Sequence, residues 1–574
     1  MLGAIEQLEV DVVVVGAGGA GLRAAYDAAA AGAKVALVLK GRVTASGATA
    51  FGVAELAGFA VPDGAGDPLD SPQVHYEDIM SAGQGCSDPR LVRTLVDEAI
   101  SAAQDLERWG VPFITDPNTG KPLVAMGDFA SRPRNRKIYH HGKPITVALK
   151  NEIEKLGVTV IHRAAVMDLL RDDNGVNGVL AVTAEGQQIA VRAGATVLAT
   201  GGAGQMFNLS LMPPDITGDG YALGYRAGAV MANMEYMQAG FGTIKPALNI
   251  IMAWLWAFCP KFTDAAGRDL LDGLLPPGLA AGQVMRRKVK HYPFSSSDES
   301  KWLEIAATKA MREGRVSAEG GFLMDLRGVD ESVLPAGSDL AVMWPISKEW
   351  LLKRRIDVAA EPLQIGLFGH SINGGLVVSG HCESTVPGLF AVGETAAGPY
   401  GADRLGGNML LNGQVFGKRA GIRAAQVGRE RRPHAQDHRA IPSIEVRTVS
   451  SAAAPVKEAT RRIKQIMTDG ALIVRDERGL QQAANQLAAL REEIDAGRFT
   501  VNSVAERVDL SEASNMLETG AMMVAAALER RETRGSHYRE DFPEVDPAQS
   551  RPLMIRQGSG APRVAPGRFE EVMP

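Results

Sequence analysis

A glycine-rich turn between an apolar strand and an alanine-rich helix, close to the start of the chain, limits the possible folds most strongly. Residues 10–15 are all valine apart from one aspartate, residues 16–21 read Gly-Ala-Gly-Gly-Ala-Gly, and residues 22–31 are rich in alanine. Residues 34–39 supply a second strand. In such a βαβ unit the glycines allow the turn, admit a pyrophosphate and let helix and strand pack, while the helix N-terminus stabilises phosphate charge. The sequence therefore predicts an α/β, Rossmann-like fold that binds a dinucleotide.

The rest of this fold is predicted to come from distant parts of the chain. Strand-like segments recur at residues 195–202 and 388–394, and the second predicted strand ends at Lys40 without the acidic residue that usually binds a ribose diol. The glycine run at 201–204 is followed by Gln-Met-Phe and not by an alanine-rich helix, so it offers no second dinucleotide site. One permanently bound dinucleotide fits this pattern better than two.

Composition excludes several classes of protein. The 574 residues carry 61 Lys plus Arg against 66 Asp plus Glu, a net charge of -5 without a basic patch, which argues against nucleic-acid binding. The apolar run at 248–259 is too short for a transmembrane segment, which needs about 20 residues. The first ten residues lack a basic stretch followed by an apolar one, so we expect a cytoplasmic protein.

The three cysteines indicate neither a cluster nor a zinc site within this chain. Cys86, Cys259 and Cys382 lie far apart and form no CxxC pair, and their odd number fits a reducing compartment. The adjacent His140 and His141 suggest a metal site at first, but neighbouring residues face different ways on a strand or helix. We expect no metal.

The second half of the chain changes character twice. From about residue 240 to 367 the pattern is irregular, with a Pro-Pro break at 276–277, which predicts an inserted unit and not more sheet. From about 456 to 534 the apolar spacing of Leu480, Leu487, Leu490 and Ile494 predicts helices. The Pro- and Gly-bearing segment after Phe542 is expected to be extended and to wrap back onto the body.

Eight ordered motifs carry a resemblance that covers most of the chain. The sequence resembles the flavoprotein family of succinate dehydrogenase, fumarate reductase, L-aspartate oxidase and the adenylylsulfate reductase α subunit. The motifs are Gly16-Ala-Gly-Gly-Ala-Gly21, Ser46-Gly-Ala-Thr49, Ala199-Thr-Gly-Gly202, Thr217-Gly-Asp-Gly220, His370 before Asn373-Gly-Gly375, Val386-Pro-Gly-Leu-Phe-Ala-Val-Gly-Glu394, Arg404-Leu-Gly-Gly-Asn408 and Arg534-Gly-Ser-His-Tyr-Arg-Glu-Asp541.

The resemblance implies FAD, a discontinuous FAD-binding domain at 1–240 and 368–440, a capping or substrate domain at 241–367, a helical domain at 455–542 and an extended tail at 543–574. Because Gly47 stands where membrane-complex members carry a flavin-linked histidine, the FAD is expected to be non-covalent. The cofactor-binding residues that the resemblance implies are Gly16, Gly18, Gly19, Ala20, Gly21, Lys40, Ser46, Gly47, Ala48, Thr49, Ala199, Thr200, Gly201, Asp219, Glu394, Asn408 and Leu410. Without the resemblance, Asp219 is explained equally well as an aspartate that stabilises a turn in the Thr-Gly-Asp-Gly sequence.

The chemistry that the resemblance implies is hydride transfer between flavin N5 and a carbon beside a carboxylate. His370 and Arg404 match positions that bind a substrate carboxylate, and a planar Arg fork suits that group. Outside this context, His370 reads as a packed loop histidine and Arg404 as part of a surface ion pair.

Departures from the family pattern argue against a small C4-dicarboxylate. Gly240 replaces a histidine that binds the second carboxylate, and the arginine of an RGEGG motif, a proton donor or acceptor in those enzymes, is absent. An aromatic stretch with Trp254 and Trp256 stands in place of that arginine. Gly240, Trp254 and Trp256 are therefore predicted to form the pocket for a larger, less polar substrate. If a proton must be moved, Lys245 and Tyr400 are the candidate catalytic groups; Tyr236 and Lys261 are alternatives.

Three functions remain open at this stage. The first is an FAD-dependent oxidoreductase acting on a C–C or C–N bond of a small-molecule carboxylate. The second is a flavoprotein subunit that works with a ferredoxin-like or iron-sulfur partner; the same stretch is spaced as in the α subunit of adenylylsulfate reductase, although that enzyme's arginine appears here as Thr243. The third is an inactive flavin-binding scaffold. A homo-oligomer is possible in each case.

Overall fold

The computed structural model describes residues 5–52, 56–116, 120–248, 253–334, 339–431 and 453–573. Within them a seven-stranded sheet forms the centre of the molecule. Its strands, in spatial order, are Thr159–Ile161, Val35–Val38, Ile5–Val15, Gln188–Leu198, Gly175–Thr183 and Ala164–Asp172, and Leu389–Ala391 also pairs with Gln188–Leu198.

The central sheet confirms that distant segments build one nucleotide-binding core. Ile5–Val15 runs parallel to both neighbours, with Val12 opposite Val35 on one side and Ala195 on the other. The valines of this strand are buried because helices cover the parallel part of the sheet. The helix after the glycine turn spans Gly19–Ala30.

The helices fall between and after the sheet segments. Those of the described residues are Gly19–Ala30, Ala48–Phe51, Pro72–Gly83, Pro89–Asp97, Ala99–Arg108, Lys143–Lys155, Asp219–Arg226, Ala281–Lys288, Lys301–Arg312, Asp339–Lys353, Asn408–Glu430, Val456–Ala471, Glu477–Asp495, Val504–Glu529 and Phe569–Val572. The three long helices near the C-terminus confirm the helical unit, and they bury Leu480, Leu487 and Leu490 as their spacing predicts.

The prediction that the inserted unit carries no sheet was wrong. Four antiparallel strands lie side by side there: Met237–Lys245, Leu363–Ile372, Phe322–Asp325 and Lys261–Thr263. Glycines at 240, 242, 366 and 369 hide the alternation of polar and apolar residues that would have signalled strands. The proposed domain limits at 240/241 and 367/368 fall inside the two longest of these strands. Residues 432–440 of the proposed FAD-binding domain lie outside the described residues.

Four smaller groups of strands complete the fold of the described residues. The tail is more ordered than expected: Leu553–Arg556 and Arg563–Pro566 join Met231–Ala232 and Gly375–Leu376 in one sheet. The others are Leu56–Ala60, Asn135–Tyr139 and Val124–Ala125 in one sheet, and the pairs Ala454–Pro455 with Phe499–Thr500 and Val474–Arg475 with Tyr538–Arg539. The described part of the run at 248–259 is a 3-10 helix at Ala253–Phe258; residues 249–252 lie outside the description.

Candidate functional site

A cavity of about 1090 Å³ opens at the carboxyl end of the strand Ile5–Val15 and extends to the inserted unit. Its wall begins with the glycine turn. Gly16 has φ +101°, and a Cβ there would lie 2.3 Å from the Ala199 carbonyl oxygen. Gly21 does not line the cavity; a Cβ on it would lie 2.0 Å from the Gly16 carbonyl oxygen, so this glycine serves helix–strand packing. A Cβ on Gly18 would meet only Thr49 Oγ1, at 3.5 Å.

A second short turn, residues 46–49, lies beside the first and also lines the cavity. The Gly19 amide donates to Thr49 Oγ1 at 3.0 Å, which joins the two turns, and Ser46 Oγ donates to the Arg42 carbonyl at 3.0 Å. Gly47 has φ +83°, and a Cβ there would have no atom within 4 Å. Ala20 and Ala48 complete this part of the wall, where small residues leave the backbone accessible to a ligand.

Lys40 and Asp219 line the cavity but are paired with each other. Lys40 Nζ lies 2.8 Å from Asp219, 2.7 Å from Glu512 and 2.8 Å from Thr217 Oγ1. Burial alone would lower the pKa of Lys40, but the two carboxylates raise it above its usual range. The same ion pair, with hydrogen bonds from Asn515 and Thr217, outweighs burial and lowers the pKa of Asp219. The ion pairs of Lys40 with Asp219 and Glu512 therefore stabilise the packing of these three chain segments at the cavity wall.

Glu394 is the buried carboxyl group of the cavity wall. Its side chain accepts a hydrogen bond of 3.0 Å from the Ile372 amide, and burial raises its pKa to about 7, although Ile372 and Arg404 act in the opposite direction. Ala199, Thr200 and Gly201 lie along the same wall, and Thr200 Oγ1 accepts from the Gly220 amide at 2.9 Å. A carboxyl group of this kind can accept or donate a hydrogen bond to a ribityl hydroxyl.

Asn408 and Tyr400 lie behind the cavity wall. Asn408 Oδ1 contacts His75 Nε2 at 2.9 Å, and the Tyr400 hydroxyl donates to the Asn408 carbonyl at 2.8 Å. Neither side chain lines the cavity, whereas Leu410 does. Tyr400 therefore fixes the start of the helix Asn408–Glu430, and the structure does not support it as a proton-transfer group.

His370 and Arg404 are brought together on one wall. Arg404 Nε donates to Gln238 Oε1 at 3.0 Å and Nη1 donates to the Leu405 carbonyl at 3.1 Å. Ser371 Oγ also donates to Gln238 Oε1, at 3.2 Å. Arg404 is 8% exposed, lines the cavity and forms no ion pair with any described residue. An arginine buried without a counter-ion indicates an anionic ligand.

His370 contributes a neutral ring. Burial, together with the nearby charge of Arg404, lowers the pKa of His370 to about 3. Its Nδ1 atom has no hydrogen-bond partner among the described residues. At neutral pH His370 can therefore give one hydrogen bond to an anion, while Arg404 supplies the positive charge.

The aromatic end of the cavity differs from the prediction. Trp254 lines the cavity, as expected, but Trp256 lies in the core against Phe241 and Phe262. Gly240 is covered by Tyr292: a Cβ on Gly240 would lie 2.9 Å from Tyr292 Cζ. Tyr292 therefore occupies the wall position expected for Gly240.

Lys245 lies on the outer surface, 59% exposed, in an ion pair with Glu319. It does not line the cavity, so the structure does not support its predicted catalytic role. Of the two alternatives, Tyr236 is fully buried against Cys86, and Lys261 is exposed and does not line the cavity.

The sequence analysis did not identify several residues of the cavity wall. Trp350 and Arg354 come from the helix Asp339–Lys353 and the turn after it, with the guanidinium 3.7 Å from the ring centroid. No motif marked this helix. Tyr292 follows no recognisable pattern either. Gln238 does not line the cavity but accepts from Arg404; the available signal was a polar residue within a strand, two positions before Gly240.

Two further observations limit the site. Among the residues the structure describes, no group of three or more His, Cys, Asp or Glu side chains could hold a metal ion. In the same residues no helix is long and apolar enough to cross a membrane.

The combination of a glycine turn at a helix N-terminus, a buried carboxyl group and a long cavity fits a dinucleotide.

Comparisons with known proteins agree with this geometry. A sequence profile described as an FAD binding domain matches residues 11–248 and 295–410, and one described as the fumarate reductase flavoprotein C-terminus matches 460–557. One subunit of the fumarate reductase (CoM/CoB) of Methanothermobacter marburgensis is 30% identical over 96% of this chain and 98% of its own. L-aspartate oxidase of Streptomyces coelicolor is 32% identical over 94% of this chain and 90% of its own.

Solved structures show the same architecture. The chain superposes on Mycobacterium smegmatis Sdh1 in complex with UQ1 with a TM-score of 0.80, 27% identity and coverage of 98% of this chain and 94% of that one. For a point mutant of FrdA from the E. coli quinol fumarate reductase, the corresponding values are 0.79, 25%, 98% and 97%.

Proposed function

Because this chain belongs to the family of FAD-dependent flavoproteins that includes fumarate reductase and L-aspartate oxidase, we propose that it transfers a hydride between FAD and a carboxylate substrate whose remainder is apolar. It is an FAD-dependent oxidoreductase, and FAD supplies the two-electron chemistry. The bond that changes is a C–C or C–N bond beside the carboxylate.

The observation that carries the proposal is the unpaired Arg404. Its guanidinium is held in place by Gln238 and Leu405, so it does not have to be ordered when an anion binds. His370 stands beside it as a neutral hydrogen-bond donor. This pair suits one carboxylate, and a fixed orientation places the adjacent carbon reproducibly.

The apolar remainder of the substrate is inferred from the aromatic wall. Trp254 and Trp350 both line the cavity and Tyr292 covers Gly240, while the cationic side chains that line the cavity near them, Lys290 and Arg354, are exposed. A second carboxylate at Gly240 would lose its hydration without gaining a buried cationic partner. A small C4-dicarboxylate such as fumarate is therefore a poor substrate in this proposal.

Non-covalent FAD is part of the proposal. Gly47, on the cavity wall, has no side chain to form a bond, and no atom lies within 4 Å of where its Cβ would be. Acid precipitation of the purified protein should release all of its flavin into the supernatant. Flavin that stays with the precipitate would contradict this part.

The carboxylate site is tested with anaerobic holoenzyme. Photoreduced enzyme is mixed with trans-cinnamate, crotonate or fumarate, and oxidised enzyme with 3-phenylpropionate, succinate or L-aspartate, while flavin absorbance is followed. We expect trans-cinnamate to react faster than fumarate. Arg404→Gln should retain FAD but lose about 100-fold or more in rate, whereas Arg108→Gln, on an exposed helix end, should match the wild type. Full activity of Arg404→Gln would refute the site.

A second candidate is a flavoprotein subunit that exchanges electrons with an iron-sulfur partner. The M. marburgensis relative is named as one part of a larger enzyme, and the described cysteines of this chain, Cys86, Cys259 and Cys382, are separate and unpaired. Co-purification of a cysteine-rich protein that accelerates flavin reoxidation would support it. Rapid reoxidation by oxygen alone, with peroxide release, would favour an enzyme that works by itself.

A further inference from the structure

Tyr292 presents a buried hydroxyl group that the proposed function does not use. The residue is 8% exposed, its side chain lines the cavity, and its hydroxyl has no hydrogen-bond partner among the described residues. A buried hydroxyl without a partner costs free energy. In the wall of a ligand cavity, this indicates that a ligand completes the hydrogen bond.

The backbone around Tyr292 is fixed from two sides. The Tyr292 amide donates to Asp128 Oδ1 at 2.7 Å, and the Phe294 amide donates to the Ala239 carbonyl at 2.6 Å. The ring lies against Gly240 and edge-on to His370, with the two ring centroids 6.0 Å apart. The phenol is therefore held beside a group to which we assign carboxylate binding.

Charged groups surround the phenol on its other side. Lys288 and Glu304 form an ion pair with both side chains at most 1% exposed, and Lys288 Nζ also donates to the Pro293 carbonyl at 3.2 Å. Burial, followed by the carboxylates of Glu304 and Asp128, holds the pKa of Tyr292 well above its usual range. With His370 neutral, Tyr292 keeps its proton at neutral pH and acts as a donor.

A small second cavity connects the phenol with this ion pair. Its volume is about 30 Å³, and both Tyr292 and Lys288 line it. A cavity of this size can hold one water molecule when polar groups line it. A water molecule there would border both Tyr292 and Lys288.

We propose that Tyr292 is the proton donor of the reaction, and this role rests on the proposed function. In the reduction of an α,β-unsaturated carboxylate, the β carbon gains a hydride from reduced FAD, the α carbon gains the phenolic proton, and the π bond between them breaks. The phenolate then regains a proton from solvent between turnovers. The class of substrate is an enoate with an apolar β substituent.

The test compares Tyr292→Phe with wild-type holoenzyme, using trans-cinnamate as the probe. Photoreduced Tyr292→Phe should be reoxidised at least about 100-fold more slowly, while the dissociation constant of cinnamate for the oxidised enzyme changes by about tenfold at most. Gly240→Ala should also slow reoxidation, because its Cβ would displace the phenol. Tyr76→Phe, which lies outside the cavity wall and keeps its ring over Arg93, is the matched control.

A second readout separates proton donation from a structural role. In D₂O the wild-type product should carry one deuterium on a single face of the α carbon, read by NMR of a chiral ester, and Tyr292→Phe should place it on both faces. Unchanged rate and configuration in Tyr292→Phe would overturn the role of Tyr292 alone. Failure of trans-cinnamate to reoxidise the wild-type enzyme would instead overturn the proposed function, and this role with it.

Discussion

At the scale of single residues, Glu394 shows how the site is maintained at the expense of stability. The carboxyl group is buried, and its pKa rises from 4.5 to about 7. Between these values the folded protein holds a proton that the unfolded chain has lost. The free energy of unfolding therefore decreases as the pH rises through this window, and the effect is complete above about pH 7.

Glu394→Gln should remove this pH dependence from the cofactor-free protein. The expected contribution of Glu394 is about 3 kcal/mol between pH 5 and pH 8, and the glutamine oxygen can still accept from the Ile372 amide. Urea unfolding of wild type and variant at both pH values measures it as a difference. Both proteins contain His370, whose low pKa increases the free energy of unfolding as the pH rises. This opposite contribution therefore cancels when the variant is compared with the wild type. Equal pH dependence in the two proteins would contradict the assignment.

The residues of the site differ in how far the sequence revealed them. Gly16 was found from the local pattern of strand, turn and helix, whereas Ser46 and Arg404 were found through the family resemblance of the motifs that contain them. Tyr292 and Trp350 reach the cavity only because the inserted unit folds over it. Lys245 was a candidate because it lies near a matched family position, and such a match does not specify which side of the strand end faces solvent.

At the scale of elements, a pair of helices supports the glycine turn. Asn408–Glu430 packs on Gly19–Ala30 through glycines spaced four residues apart, Gly413, Gly417 and Gly421. A Cβ on Gly421 would lie 2.5 Å from the Ala24 carbonyl oxygen. This close approach fixes the helix whose N-terminus faces the cavity.

Gly421→Ala should therefore force the two helices apart. We expect a loss of about 1–3 kcal/mol in the free energy of unfolding, the usual result of overpacking. Ile422→Ala, at the neighbouring position with a 42% exposed side chain, should change it by about 0.5 kcal/mol at most. Urea unfolding of the cofactor-free proteins measures both. Equal stability of the two variants would show that the helices tolerate a wider spacing.

At the scale of the whole molecule, Arg530 connects three parts of the chain. Its guanidinium contacts Glu235 at 2.7 Å and Glu532 at 2.9 Å, and donates to the backbone carbonyls of Gln549 and Arg551. All three charged side chains are fully buried. Arg530 thus joins the end of the helical unit, the strand region before the inserted unit and the C-terminal segment.

Arg530→Met should leave the buried Glu235 carboxylate without its ion-pair partner, while Glu532 keeps its ion pair with Arg534. We expect a loss of about 3–5 kcal/mol, seen as a lower thermal midpoint and as faster proteolysis of the C-terminal segment. Arg531→Met is the control, since that side chain is 62% exposed. If both variants keep the wild-type midpoint, the ion cluster does not hold the C-terminal segment in place.

The sequence by itself determined the Rossmann-like core, the cofactor class and the helical unit near the C-terminus, because strand, turn and helix signals act over a few residues. Only the tertiary structure decided that Tyr292 covers Gly240, that Lys40 pairs with Asp219 and Glu512, and that Lys245 faces solvent. Each of these depends on contacts between segments far apart in the chain. Local preferences do not specify which such segments meet, since burial and charge pairing across the whole fold select them.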